Sequence, residues 1–148
     1  MDSPWSSSPV SRMRWMEYIT ELPIIPDSLF EKMQRSKSGS VVFHYAVVRM
    51  STGNKVTASI CYERNGDIES ELAAIAADLR SQWHTDDVLL VRRLGKLQGG
   101  EVISLVAISS PNSKDAFEAC QSGVERFKKM TTVRKCEAFQ EDTNAASH

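Results

Sequence analysis

The chain has 148 residues, of which 41% are apolar and 25% charged, and its formal net charge at pH 7 is −1. This composition is typical of a globular domain that is long enough to bury a core, and the net charge excludes a global attraction to nucleic acid or to a membrane surface. No apolar run approaches the roughly 18 residues that span a bilayer.

The number and spacing of the cysteines indicate the redox environment of the protein. Cys61, Cys120 and Cys136 are odd in number, widely spaced and in no CxxC motif, so neither a disulfide framework nor a metal site is predicted. A reducing, cytoplasmic localisation is therefore expected.

One domain is predicted between two poorly ordered ends. Residues 1–12 are rich in Ser and Pro and are expected to be a disordered tail, and residues 141–148 are expected to fray. The single domain therefore covers residues 13–140, in which we find no internal repeat.

The first elements of this domain are a strand, a short helix and a long apolar strand. The first strand is predicted over 14–21, and Asp27 or Ser28 is expected to cap a helix that reaches about Gln34. Residues 40–50 are apolar on both alternating faces, which predicts a central strand buried on two sides.

A hairpin is predicted next. Residues 51–54 form a turn that contains glycine, and residues 55–62 alternate between apolar and polar side chains. They are expected to pair with the preceding strand, on which His44 is predicted to be a core histidine.

The second half of the chain predicts two long helices around a pair of strands. A helix is expected over 68–84, and strands over 87–94 and 102–109 flank a turn at 95–100. Ser113 is predicted to cap the last helix, whose core stripe comprises Ala116, Phe117, Cys120, Val124 and Phe127. The order β-α-β-β-α-β-β-α predicts an α+β fold, with helices packed on a mostly antiparallel sheet.

A run of cations follows the last helix. Residues 128–135 read KKMTTVRK and hold four cations without an acid. Such a cluster at a helix end can be a solvated surface, since Lys128 there already interacts favourably with the helix dipole. It can also bind an anion such as a phosphate or a carboxylate.

Several short segments, taken in their order and spacing, resemble one known family. They are Ser40-Val41-Val42-Phe43, Arg93-Leu94-Gly95-Lys96-Leu97, Gly100-Glu101, Ser109-Ser110, Ala116-Phe117-Glu118-Ala119 and Arg134-Lys135-Cys136-Glu137. Over residues 39–137 the chain resembles the large, catalytic subunit of molybdopterin synthase.

The resemblance implies an enzyme with two protein partners. In that family two large subunits form a central homodimer, and each binds a small ubiquitin-like subunit whose C-terminal Gly-Gly ends in a thiocarboxylate, giving a heterotetramer. Sulfur passes from the thiocarboxylate to cyclic pyranopterin monophosphate and makes the dithiolene of molybdopterin, in molybdenum cofactor biosynthesis. The resemblance implies no cofactor and no metal.

The resemblance also implies site residues. Lys128 and Lys135 match the lysines that the family uses for catalysis and substrate binding, and Arg49 matches an arginine of the substrate pocket. Asn112 and Ser113 stand where the family has a His-Arg pair that holds phosphate. Both can donate hydrogen bonds to a phosphate at a helix start, although they can equally be simple capping residues.

Other departures leave two alternatives open. Arg92 replaces a usual histidine, and Thr132-Val133-Arg134 replaces a usual Pro-x-Trp. The chain could therefore be a catalytically impaired relative that acts as a dimeric binding or scaffold protein. Nucleic-acid binding through residues 128–135 is disfavoured, because the net charge is negative and no aromatic platform accompanies the cations. Cys136 could be a reactive thiol beside Lys135, although the family needs no cysteine there.

Overall fold

The computed structural model describes residues 14–33, 37–49, 51–52, 55–56 and 59–136. Its strands are β1 (Arg14–Thr20), β2 (Ser40–Val47), β3 (Ser51–Thr52), β4 (Lys55–Val56), β5 (Ser59–Arg64), β6 (Asp87–Arg93), β7 (Gly95–Gln98), β8 (Val102–Ser110) and β9 (Val133–Lys135). Its helices are α1 (Pro26–Phe30), α2 (Ile68–Gln82) and α3 (Ser113–Lys128). The predicted tails at 1–12 and 141–148 lie outside these ranges.

The main sheet has four strands in the order β1-β6-β8-β2. Strand β1 runs parallel to β6, while β8 is antiparallel to both β6 and β2. Every residue of β6 is buried, because the strand lies inside the sheet with side chains packed on both faces. The two faces of the strand pack into separate apolar clusters, one containing Val88 and Leu90 and the other Leu89 and Val91.

The two long helices cover one face of this sheet. Asp67 caps α2 by accepting a hydrogen bond from the Ser70 backbone N–H at 3.0 Å. Apolar side chains recur along both helices at helical spacing and bury a common layer against the sheet. This layer contains Ile68, Leu72, Ile75, Ala76, Leu79, Ala116, Ala119, Cys120 and Phe127. Helix α3 approaches β8 so closely that a Cβ on Gly123 would lie 2.9 Å from Val106 Cγ1.

A second, three-stranded sheet has the order β7-β5-β9 and is antiparallel throughout. Strand β9 follows the end of α3 and pairs only with β5, so it closes this sheet at one edge. A disulfide between Cys61 in β5 and Cys136 after β9 links the two strands. The second sheet therefore holds the segment that follows α3 beside the main sheet.

The predicted α+β class and mostly antiparallel pairing are confirmed. The two long helices and the strands at 87–93 and 102–110 lie where the hydrophobic patterns predicted them. Both helices depend on regular apolar stripes, which a sequence displays directly.

In the segment 40–62, the strand predicted from residue 40 is present, but its predicted burial and its predicted partner were wrong. Strand β2 is an edge strand of the main sheet, where Tyr45 is 44% and Val47 50% exposed. It pairs with β8 and not with β5, since β5 belongs to the second sheet. Among the described residues of the predicted hairpin, the two-residue strands β3 and β4 pair with each other. His44 is exposed, because it lies on this edge strand and not in the core.

Smaller predictions were also wrong. The segment 95–100 was predicted as a turn, but β7 occupies its first four residues. Helix α1 begins at Pro26 and carries no side-chain cap from Asp27 or Ser28. Asn112, not Ser113, caps α3, and Phe117 is 65% exposed because the buried stripe passes through Ala116, Ala119 and Cys120 instead.

The cysteine prediction was wrong as well. Cys61 and Cys136 are far apart in the sequence, but the antiparallel pairing of β5 with β9 brings their Cα atoms to 5.3 Å, and they form a disulfide. Cys136 is therefore not a reactive thiol in this structure. Burial raises the pKa of the remaining thiol, Cys120, to about 11, as expected for a core cysteine.

Candidate functional site

A cavity of about 310 Å³ lies where the end of α3 meets the main and second sheets. Its apolar wall includes Val106, Val124 and Phe127, which continue the core beneath the helix. Its polar wall is basic, and none of the described residues that line it is acidic. The basic side chains are His44, Arg92, Lys128, Arg134 and Lys135. A cavity with this lining is suited to a small anion that carries an apolar body.

Lys128 and Lys135 enter this cavity from different elements. Lys128 is the last residue of α3, and Lys135 is the last residue of β9. Their convergence depends on the turn at residues 129–132, which reverses the chain between the two elements. Lys128 Nζ lies 3.6 Å from Glu125 Oε2 on an exposed surface, a pairing that contributes little and leaves the ammonium available. Among the described residues, Lys135 forms no ion pair.

The turn is fixed by contacts to the body of the domain. Both the backbone N–H and the hydroxyl of Thr132 donate to Glu71 Oε1, at 3.2 and 2.6 Å, and the Asn65 backbone N–H donates to the Thr132 carbonyl. Beyond the turn, the Cys136 backbone N–H donates to the Cys61 carbonyl at 3.0 Å. These contacts, together with the disulfide, position β9 and therefore Lys135.

One cation of the lining is already neutralised. Arg134 Nε lies 2.6 Å from Glu63 Oε2 on the paired strand β5. Arg134 therefore contributes less to the potential in the cavity than Lys128, Lys135 and Arg92 do.

The structure does not bring the other predicted site residues to this cavity. Arg49 is exposed just beyond β2, and Asn112 and Ser113 lie at the opposite end of α3. Since α3 rises about 1.5 Å per residue, Ser113 lies about 22 Å from Lys128. Asn112 Oδ1 accepts a hydrogen bond from the Asp115 backbone N–H at 2.8 Å, which is a capping role. Substrate binding by Arg49, Asn112 and Ser113 stays a prediction.

Sequence reasoning missed two members of the cavity. Arg92 and Tyr62 contact each other there, with the Arg92 Cζ atom 4.5 Å from the centroid of the tyrosine ring. Tyr62 gave no signal beyond its place in an alternating strand. The pair Arg92-Arg93 at the end of an otherwise apolar, buried strand was the available signal for a buried guanidinium.

No metal centre or membrane segment emerges from the parts of the chain that the structure describes. Within those parts, no three His, Cys, Asp or Glu side chains converge as metal ligands would. None of the described helices combines the length and the apolar character that crossing a bilayer requires.

Fold and site together define an α+β protein in which the last helix and the strand after it present lysines to a basic cavity. Residues 19–130 match the family model described as MoaE protein, and the chain belongs to that family. The resemblance seen in the sequence is confirmed.

The relatives of this chain carry one name. It is 30% identical over 137 residues to a molybdopterin synthase catalytic subunit of Staphylococcus aureus (strain COL), covering 92% of both chains. It is 29% identical over 124 residues to that of Bacillus subtilis (strain 168), covering 83% of this chain and 79% of the relative.

Solved structures agree with this assignment. The crystal structure of molybdopterin synthase from Staphylococcus aureus superimposes with a TM-score of 0.72 at 31% identity, over 79% of this chain and 86% of the other. A protein–protein complex of subunits 1 and 2 of molybdopterin-converting factor from Helicobacter pylori shares the fold, with a TM-score of 0.67 at 15% identity over 80% and 82% of the two chains.

Proposed function

We propose that this protein is the catalytic subunit of molybdopterin synthase. It transfers sulfur from the thiocarboxylated C-terminus of a small ubiquitin-like subunit to cyclic pyranopterin monophosphate and so forms the dithiolene of molybdopterin. The observation that carries the proposal is the convergence of Lys128 and Lys135, from two different elements, on one cavity whose described lining residues include no acid. The names of the relatives supply the reaction.

The charge of the cavity suits this reaction. Both reactants are anionic, because the acceptor carries a phosphate and the donor ends in a thiocarboxylate. Sulfur transfer moves negative charge between carbonyl and sulfur atoms, and ammonium groups fixed in place stabilise that charge without reorganisation. In this scheme Lys128 exchanges a proton with the reacting groups and Lys135 holds the anionic substrate.

Two protein partners belong to the proposal. The small subunit inserts its Gly-Gly end into the cavity, and the Helicobacter pylori complex supports a partner of this kind. The second partner is another copy of this chain, with which it forms a homodimer of large subunits. Because Asn112 and Ser113 lie about 22 Å from Lys128 along α3, they could hold the same small substrate only if a second copy contributed them.

A cytoplasmic localisation completes the proposal, and the disulfide provides its test. Cys61 and Cys136 should be recovered as thiols if the protein resides in a reducing compartment, since disulfides there are rare or transient. Trapping of thiols with an alkylating reagent in intact cells, followed by mass spectrometry, measures this. A fully oxidised pair would contradict the cytoplasmic assignment.

The test of function is sulfur transfer in vitro. Purified protein is mixed with the thiocarboxylated small subunit and cyclic pyranopterin monophosphate, and molybdopterin is followed as its fluorescent oxidised derivative. We expect Lys128→Ala to lower the turnover rate at least 100-fold, within the range that general acid–base groups contribute.

The matched control is Lys129→Ala. Lys129 is the next residue and is equally exposed, but it does not line the cavity. Both variants should keep the wild-type free energy of unfolding within about 0.5 kcal/mol, because both side chains are on the surface. Full activity in Lys128→Ala would refute the assignment. Absence of turnover in the wild-type protein, with the small subunit still bound, would instead support the scaffold alternative.

A further inference from the structure

Arg92 carries a buried charge that no described carboxylate neutralises. The residue is 9% exposed, and it lines the cavity from strand β6, on the same face as Val88 and Leu90. Its Nε atom is buried and has no hydrogen-bond partner. Burial of a guanidinium without a counterion is costly to a fold, so such a group needs an explanation.

The neighbouring arginine shows how this chain satisfies a structural guanidinium. Arg93 is 6% exposed and points to the opposite face of the strand. Its Nη1 donates to Glu101 Oε1 at 2.8 Å, its Nε to the Leu94 carbonyl at 3.2 Å, and its Nη2 to the Lys96 carbonyl at 3.2 Å. The two consecutive buried arginines therefore differ, because all three nitrogens of Arg93 donate hydrogen bonds, whereas the buried Nε of Arg92 has no partner among the described residues.

Tyr62 holds the guanidinium of Arg92 in place. The Arg92 Cζ atom lies 4.5 Å from the centroid of the Tyr62 ring, a distance typical of a cation–π contact. Burial lowers the pKa of Arg92, and both an electrostatic interaction and a side-chain hydrogen bond with Tyr62 oppose that shift. The planar guanidinium fork is thereby oriented in the cavity, and its Nε donor is left for a ligand.

We propose that Arg92 anchors the phosphate group of a small phosphate monoester. The Arg92 guanidinium binds phosphate oxygens at the floor of the cavity, and Lys128 and Lys135 contact the ligand from the rim. The exposures of the three side chains define floor and rim, since Arg92 is buried and both lysines are exposed. A phosphate monoester carries close to two negative charges at neutral pH, which matches a site with three cations and no acid among its described lining residues. The identity of the ester as a pyranopterin rests on the proposed function, but phosphate binding does not.

Inorganic phosphate is the probe, and the protein is titrated with it at constant ionic strength by calorimetry and by the shift in Tm. Arg92→Met removes the charge but keeps a side chain of similar length, and Arg92→Lys keeps the charge without the fork. Arg126→Met is the matched control, because Arg126 lies on α3 outside the cavity and pairs with Asp78 at 2.6 Å. We expect phosphate affinity to fall at least 10-fold in Arg92→Met, to fall less in Arg92→Lys, and to be unchanged in Arg126→Met.

The Tm without phosphate separates binding from a structural role. If Arg92 serves a ligand, Arg92→Met should melt at or above the wild-type temperature, because a desolvated charge has been removed. An Arg92→Met protein that melts several degrees lower, fails to fold, or binds phosphate like the wild type would overturn the proposal, as would a wild-type protein that binds no phosphate.

A kinetic readout connects this site to the reaction. In the sulfur-transfer assay, Arg92→Met should raise KM for the pterin more than it lowers kcat, whereas Lys128→Ala should mainly lower kcat. If the wild type binds phosphate through Arg92 but transfers no sulfur, the phosphate site stands and the proposed function fails. If it transfers sulfur and Arg92→Met leaves KM unchanged, the function stands and the anchor fails.

Discussion

The disulfide between Cys61 and Cys136 should contribute a large part of the stability of this domain. The two cysteines are 75 residues apart in the sequence, and the loop that they close contains α2, the interior strands of the main sheet and α3. The chain-entropy relation gives about 4.5 kcal/mol for a loop of this length at 25 °C, and measured disulfides commonly contribute about 2–4 kcal/mol. We therefore expect Cys136→Ser to lower the free energy of unfolding by about 2–4 kcal/mol.

Urea unfolding of four samples tests this expectation: wild type and Cys136→Ser, each with and without a thiol reductant. A loss of 3 kcal/mol should move the wild-type midpoint by about 1.5 M on reduction, for an m-value near 2 kcal/mol/M. Reductant should leave Cys136→Ser unchanged, since only the buried thiol of Cys120 and the unpaired Cys61 remain in it. A wild-type midpoint that does not respond to reductant, although mass spectrometry shows the bond broken, would refute the reasoning.

Two further expectations follow from buried groups. Glu101→Gln leaves the buried Arg93 without its carboxylate partner. We therefore expect the free energy of unfolding, measured in urea at pH 7, to fall by about 2–4 kcal/mol, and unchanged stability would contradict this. Hydrogen bonds from the Gln98 N–H and from Arg93 hold the pKa of Glu101 below its usual 4.5. The contribution of the ionised Glu101 to stability is therefore complete above about pH 4.5 and is lost as the pH falls through the lowered pKa. Wild type should therefore lose more stability than Glu101→Gln on acidification. Because burial raises the pKa of Cys120 to about 11, iodoacetamide at pH 8 should modify it far more slowly in native protein than in urea, and equal rates would refute its burial.

The sequence predicted the elements that local pattern determines. Helix α2 has a regular stripe from Ile68 to Leu79 and a capping aspartate, and both features are local. Strand β6 was predicted as a strand from its apolar run, and the structure buries that run on both faces.

The errors arose where contacts between segments that are distant in the sequence determine the structure. The run in β2 is as apolar as that in β6, but only tertiary pairing makes β2 an edge strand. Similarly, no local pattern shows that β5 leaves its chain neighbour to pair with β7 and β9. The disulfide depends on this pairing, so cysteine spacing could not reveal it.

The candidate site was likewise predicted only in part. Lys128 and Lys135 were predicted through the family resemblance, and the structure explains their convergence by the turn that Thr132 fixes against Glu71. Arg92 was noted in the sequence only as a departure from the family. Its significance depends on the absence of a described acidic partner, which no sequence pattern records.

This arrangement bears on whether the departures from the family pattern silence the enzyme. Within one chain the uncharged Asn112 and Ser113 lie about 22 Å from Lys128, so their lack of charge affects the potential in the cavity only where a second copy contributes them. The cavity keeps the two family lysines, Lys128 and Lys135, and adds a buried Arg92 that no described carboxylate neutralises. A scaffold protein would have no need of that guanidinium, and its replacement by an apolar side chain would stabilise the fold. The presence of a costly charge next to two available lysines therefore favours a site that binds an anion over one that has lost its substrate.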